Sequence, residues 1–240
     1  MSKKLNVLFI VIAGILGAAS AAQAQIYSTW ANYGSFTQGD WTIYNDVWGV
    51  KKPNTQQLFV NSINSWYVNT KQNNGGVKSY PNTAVYPNTP LAQMQSATAT
   101  FNTTSPVGKS GYWWDWTFDC WSANSADEVM ILTSYYPSAG GWGTKIATNV
   151  TIGGILYKEV WQAAPGWNVV QFIPAQQMTS GTLDILAVWN WAASHGLLVN
   201  TDFDTMQFGV EITSTGNTWQ TFGLNYSASW SNKSGGGSGI

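Results

Sequence analysis

Arginine is missing from this sequence altogether. Without guanidinium groups to clamp phosphates, and with charged residues at only 9% of the chain, nucleic acid is a poor partner. There is one cysteine, Cys120, so no intramolecular disulfide can form. Cys120 falls on the apolar face of a strand-like run and reads as a small core residue. There is one histidine, His195. A single histidine and a single cysteine exclude a zinc-type nitrogen and sulfur site. His195 falls at the end of a helical segment, so a Ser-His-Asp triad has no base. No glycine-rich loop for phosphates is present, and nothing calls for a cofactor. Beyond residue 24 no apolar run is long enough to span a bilayer.

The exception is the start of the chain. A basic MSKK, the apolar run LNVLFIVIAGILGAA and the small-x-small site Ala22-Gln23-Ala24 together predict a secretory signal peptide over residues 1–24. Secretion follows as an expectation, with periplasmic transit if the source is a bacterium. Removal of Lys3 and Lys4 takes the formal charge from −1 to −3. Such a weakly charged chain suits a neutral polymer.

Tryptophan is plentiful, at fifteen residues. Indole rings fill cores, and they also stack on the C–H faces of sugars while neighbouring amides take the hydroxyls. Roughly two thirds of these tryptophans are expected in the core, with the surplus left for binding. Short β-branched and aromatic runs broken by Gly, Asn, Pro and Ser extend from Ile26 to Trp230. They predict an all-β, two-sheet antiparallel sandwich over residues 25–231, as one domain and a monomer. Residues 232–240 read as a flexible Gly/Ser-rich tail. One helix interrupts the pattern, with Leu183, Leu186, Ala187, Trp189 and Ala193 at helical spacing, Ser180 or Thr182 as cap and Gly196 at its close.

Glutamate is also scarce. Of three glutamates, two lie inside strand-like runs: Glu128 in DEVMI and Glu211 in QFGVEIT. Strands disfavour glutamate, and a half-buried charge is costly unless it has a task. Alternation puts Glu128 with Met130, and Glu211 with Gln207 and Gly209, opposite the apolar faces of their strands. In WTFDCW, Asp119 lies away from Phe118 and Cys120. Three carboxylates then share one surface. With the two glutamates on neighbouring strands, this is the minimum equipment for cleaving a glycosidic bond. A solvated outer face is the competing reading of the same pattern.

These same residues resemble glycoside hydrolase family 12, the small endo-β-1,4-glucanases. DEVMI is similar to that family's nucleophile strand, Glu-Ile/Leu-Met-Ile. QFGVE is similar to its acid/base strand, and TFDCWSA to the strand before the nucleophile. NDVWG, VKSYPN and ASHGL match further elements in order and spacing. The resemblance implies a β-jelly roll whose concave sheet forms an open cleft. It also implies a retaining mechanism with Glu128 as nucleophile, Glu211 as acid/base and Asp119 supporting Glu128. It places Trp30, Asp46, Trp48, Met130, Trp142 and Gln207 in contact with a β-glucan substrate, with no cofactor and no metal. Departures fall in that contact layer: Asp46 replaces an asparagine, Leu132 a tryptophan, Ile212-Thr213 a Pro-Phe pair, and Gly141-Trp142-Gly143 stands near a Pro-Ile-Gly element. The substrate implied is cellulose-type β-glucan, with xyloglucan or mixed-linkage glucan as the alternative. The motifs of the family 11 xylanases are absent. A non-catalytic carbohydrate-binding protein is the rival outside enzymes, although a binder has no need of the glutamate pair.

Overall fold

A computed structural model describes residues 24–50 and 52–233. The signal segment before Ala24 and the tail after Lys233 lie outside the described residues. Two sheets pack face to face. The smaller has six strands, in spatial order β1 (Tyr27–Thr29), β4 (Gln56–Ser62), β5 (Ser65–Thr70), β16 (Gln220–Asn232), β8 (Met94–Thr104) and β14 (Ser180–Asp184). The larger runs β11 (Thr144–Ile152), β12 (Ile155–Ala163), β13 (Asn168–Pro174), β10 (Asp127–Tyr136), β9 (Tyr112–Ser122), β15 (Asp202–Thr215), β6 (Asn82–Val85), β3 (Trp41–Tyr44) and β2 (Ser35–Gln38), with β7 (Thr89–Pro90) added on β15. The arrangement is a β-jelly-roll sandwich with one α-helix among the described residues, α1 (Ile185–Ser194).

The core lies between the sheets and follows the alternation. Trp114, Trp116, Phe118 and Cys120 of β9 point inward, as do Met206, Phe208, Val210 and Ile212 of β15. They meet Phe101 of β8 and Phe222, Leu224 and Tyr226 of β16. Phe118 stacks on Phe208 with centroids 4.2 Å apart, and Phe101 tilts against Phe208 at 5.0 Å. Each such ring contributes about 1.5–3 kcal/mol on burial. Cys120 is buried here, and burial pushes its thiol up.

Four expectations need correction. Pairing is not wholly antiparallel, since β10 and β13 run parallel. The helix begins later than its apolar spacing suggested: Leu183 belongs to β14, and the cap is Asp184, whose Oδ1 accepts from the Ala187 N–H at 2.9 Å. Ser180 and Thr182 pair with β8 instead. The strand pattern runs past residue 231 into the expected tail, because Asn232 ends β16 and the Lys233 N–H donates to the Gln93 carbonyl at 2.8 Å. Only Trp66, Trp114, Trp116 and Trp189 of the tryptophans are buried. The core is filled by Phe, Val, Ile and Leu, and β9 carries indoles of both parities, so Trp113 and Trp121 turn outward.

Candidate active site

Strand β9 is the spine of the site. Its outward residues are Asp115, Thr117, Asp119 and Trp121, opposite in parity to the inward aromatics. On one side β10 places Glu128 against Trp121, Met130 against Asp119 and Leu132 against Thr117. On the other side β15 places Gln207 against Asp119, Gly209 against Thr117 and Glu211 against Asp115. Four carboxylates therefore share one face of the large sheet. The two glutamates are not on neighbouring strands, as the sequence suggested; they flank β9. Gly209 is where β6 comes close, since a Cβ there would run into the Pro81 carbonyl and Asn82.

The two glutamates differ in their surroundings. Glu128 is 8% exposed, and its Oε2 accepts from the Trp167 indole N–H at 2.7 Å. Burial raises its pKa, while the indole donor lowers it. Trp167 stands just before β13 and lies 6.1 Å from the Trp121 ring, so two indoles flank this carboxylate. Among the described residues no side-chain donor lowers Glu211 in this way. Burial raises it well above the carboxylate range, then the charge of Asp115, then that of Glu128. Asp119 is raised well above its ordinary value by burial and by Glu128, Glu211 and Asp115, against a lowering contact from Thr117. Its Oδ1 is buried without a hydrogen-bond partner, as is Oδ1 of Asp115. Burial lifts Asp115 to about 7. The cluster is thus one interacting set, in which burial favours the protonated forms.

The segments around Val47 and Ser79, bridged to the end of β15, complete this side. Ser79 bridges Ile212 and Val47, and Val47 and Ile212 both face inward. Asp46, Trp48, Lys78 and Tyr80 therefore share the outward face with Glu211. The Tyr80 hydroxyl donates to the Thr117 carbonyl at 3.0 Å and feels the charges of Asp119, Glu211 and Glu128. Asp46 has φ +38° and is raised by burial to about 6. Trp48 is 46% exposed, which removes it from the core. Trp30 stands edge-on to Trp219 at 6.1 Å, and both are exposed. On the opposite side Gln171 pairs with Met130; its Nε2 donates to the methionine sulfur at 3.8 Å and its Oε1 accepts from the Trp142 N–H at 3.3 Å. Asp115, Trp121 and Trp167 went unread in the sequence. Asp115 shares strand parity with Asp119 four residues on, and that signal was sufficient to find it. Trp167 precedes its strand in a turn and carries none.

The xyloglucanase domain of NopAA, a type three effector from Sinorhizobium fredii solved with cellobiose, aligns with a TM-score of 0.77 at 30% identity, over 86% of this chain and 99% of that one. The chain belongs to glycoside hydrolase family 12. Two further solved structures share the family 12 fold at lower identity. A metagenome-derived family 12 endoglucanase has a TM-score of 0.75 at 19% identity, covering 86% of this chain and 98% of its own. A family 12 xyloglucanase from Bacillus licheniformis has a TM-score of 0.69 at 20% identity, covering 86% and 100%. No protein-family model matches the sequence. The carboxylate face belongs, then, to a glycoside hydrolase, and family 12 membership makes it the place to look for the chemistry.

Proposed function

We propose that this protein is a secreted, monomeric, endo-acting retaining β-1,4-glucanase, with Glu128 as nucleophile and Glu211 as acid/base. The observation that carries the assignment is the unequal treatment of the two glutamates. Trp167 donates to Glu128, which favours its anion, whereas Glu211 faces Asp115 and keeps its proton. In the first step Glu128 attacks C1 while Glu211 gives its proton to the leaving glycosidic oxygen. The product is a covalent glycosyl-enzyme. Once Glu128 is esterified, its charge no longer holds up Glu211, which then takes a proton from water as that water attacks C1. Asp119, diagonal to Glu128 and opposite Gln207, orients the nucleophile. Trp30, Asp46, Trp48, Met130, Trp142 and Gln207 contact the glucan.

Xyloglucan is the second reading. It is supported by the Sinorhizobium fredii xyloglucanase domain, whose identity to this chain is 30%. The test is a reducing-sugar assay on carboxymethylcellulose, xyloglucan and mixed-linkage glucan, with the product anomer followed by NMR. Retained β-anomer is expected. Glu128→Ala and Glu211→Ala should each lower activity by several orders of magnitude, with azide rescuing the first to give an inverted glycosyl azide. Substantial activity in either variant, or an α-product from the wild type, overturns the roles. Binding of glucan without release of reducing ends favours the non-catalytic reading instead.

A further inference from the structure

Next to the carboxylate face, at the end where Trp48 and Trp219 stand, is a cavity of about 740 Å³. Its size is that of a ligand pocket. Its lining is opposite in charge to the site it adjoins. Lys52, Lys71 and Lys78 border it, together with the amides of Asn73, Asn74 and Asn217, and no carboxylate among the described residues does. The one ion pair among the described residues, Lys145 with Glu159, involves none of these lysines. Lys78 is 7% exposed, and its ammonium donates to the Gly75 carbonyl at 2.6 Å. That ammonium has a carbonyl partner but no carboxylate among the described residues, so an anion in the cavity would be its first counter-charge.

The cavity is tied to the reaction centre through the backbone. The Lys78 N–H donates to the carbonyl of Ile212, the residue after Glu211. The N–H groups of Trp48 and Gly49 both donate to the Lys78 carbonyl, and Gly49 itself lines the cavity. Asn217, also in the lining, lies two residues before Trp219, which is 50% exposed beside Trp30. Gly49 of the lining adjoins Trp48 and Asn217 lies close in sequence to Trp219, so the cavity borders the segments that carry both exposed indoles. Exposed indoles select pyranose faces, while ammonium and amide donors select an anion. Both features are met by a sugar that carries a carboxylate.

We infer that this cavity is an extension of the substrate site that takes a carboxylate-bearing unit, such as a glucuronate, on the β-glucan chain. The inference rests on the β-glucanase reading above and narrows its substrate class. Those carboxylates of the face that are ionised repel an anionic substrate, so a preference for one requires the lysines to outweigh that repulsion.

The experiment compares cello-oligosaccharides of equal length, neutral or oxidised at C6 to carry glucuronate at the non-reducing end. At low ionic strength the ratio of kcat/KM, acidic over neutral, should exceed one by about three- to tenfold, and should fall toward one as salt is added. Lys52→Gln with Lys71→Gln should lower that ratio by a similar factor at an unchanged melting temperature. Lys52 is exposed and Lys71 half-buried, so the double variant keeps its fold. A wild-type ratio of one or less, with neutral chains still cleaved, overturns the inference and leaves the glucanase reading standing. A ratio indifferent to the double substitution does the same. Cleavage of neither substrate overturns the glucanase reading, and this inference with it. Calorimetry with inorganic phosphate separates the remaining source: phosphate binding that depends on the two lysines, without any preference for the acidic chain, makes the cavity a free-anion site and overturns the substrate role.

Discussion

At the scale of single residues, one hydrogen bond separates two glutamates that composition alone would treat alike. Trp167→Phe keeps the ring beside Trp121 and removes the donor to Glu128. The Glu128 carboxylate then loses the contact that lowers its pKa. The acid limb of the kcat/KM profile should move to higher pH, and the maximal rate should fall roughly tenfold, as expected when a hydrogen bond to a charged group is lost. An unmoved limb would mean that Glu128 does not govern it. Asp115 works on the partner with opposite sign. Its charge is the largest electrostatic cause of the raised Glu211 pKa. Asp115→Asn removes that charge, so Glu211 gives up its proton more readily. The alkaline limb of the profile should move to lower pH, measured on the same soluble oligosaccharide. A shift to higher pH would show that the Asp115 hydrogen-bonding geometry, rather than its charge, sets Glu211.

At the scale of elements, strand parity was the most legible property of the sequence. It put Glu128 with Met130, Glu211 with Gln207, and Asp119 opposite Phe118, as the registers of β9, β10 and β15 do. Parity says nothing of which strand lies beside which. The insertion of β9 between β10 and β15, and the parallel pairing of β10 with β13, depend on long-range contacts that no local pattern encodes. The helix start slipped because Leu183 fits a helical and an alternating pattern equally, and the strand claimed it. Burial of tryptophan was misjudged for a similar reason, because residue type does not reveal which side of a strand a ring takes. The distinction has a direct test in β9 and the NDVWG segment. Trp116 is fully buried, whereas Trp48 is 46% exposed. Trp116→Ala should cost about 3–5 kcal/mol of stability by denaturant unfolding. Trp48→Ala should leave the melting curve almost unmoved while lowering kcat/KM, increasingly so on longer oligosaccharides, because a stacking platform is lost. A Trp48 variant that melts far lower but retains full efficiency in the cold would remove that indole from the substrate site.

At the scale of the whole molecule, gathering acids on one face has a thermodynamic cost that depends on pH. Asp46 is raised from 3.8 to about 6 and Asp115 from 3.8 to about 7, both by burial. Glu211 and Asp119 are also raised well above their ordinary values, chiefly by burial. A group whose folded pKa exceeds its unfolded value binds its proton more tightly when folded. Its contribution to stability is complete below the unfolded pKa and is lost as pH rises through the folded one. For Asp46 and Asp115 that window runs from about 4 to about 7. Glu159 has the opposite sign, being lowered chiefly by its hydrogen bond with Lys145, but it is an exposed pair and is screened by solvent. The free enzyme should therefore be most stable in mildly acidic solution, and its melting temperature should fall as pH is raised from about 4 to 7, the reverse of ordinary acid denaturation. Asp115→Asn should flatten the upper part of that decline, because an amide has no proton to lose. The measurement is a series of calorimetric scans at constant ionic strength, wild type against variant. A wild-type melting temperature that rises across this window would mean that the four carboxylates are solvated and ionised in the folded protein, and the unequal protonation on which the roles of Glu128 and Glu211 rest would fall with it.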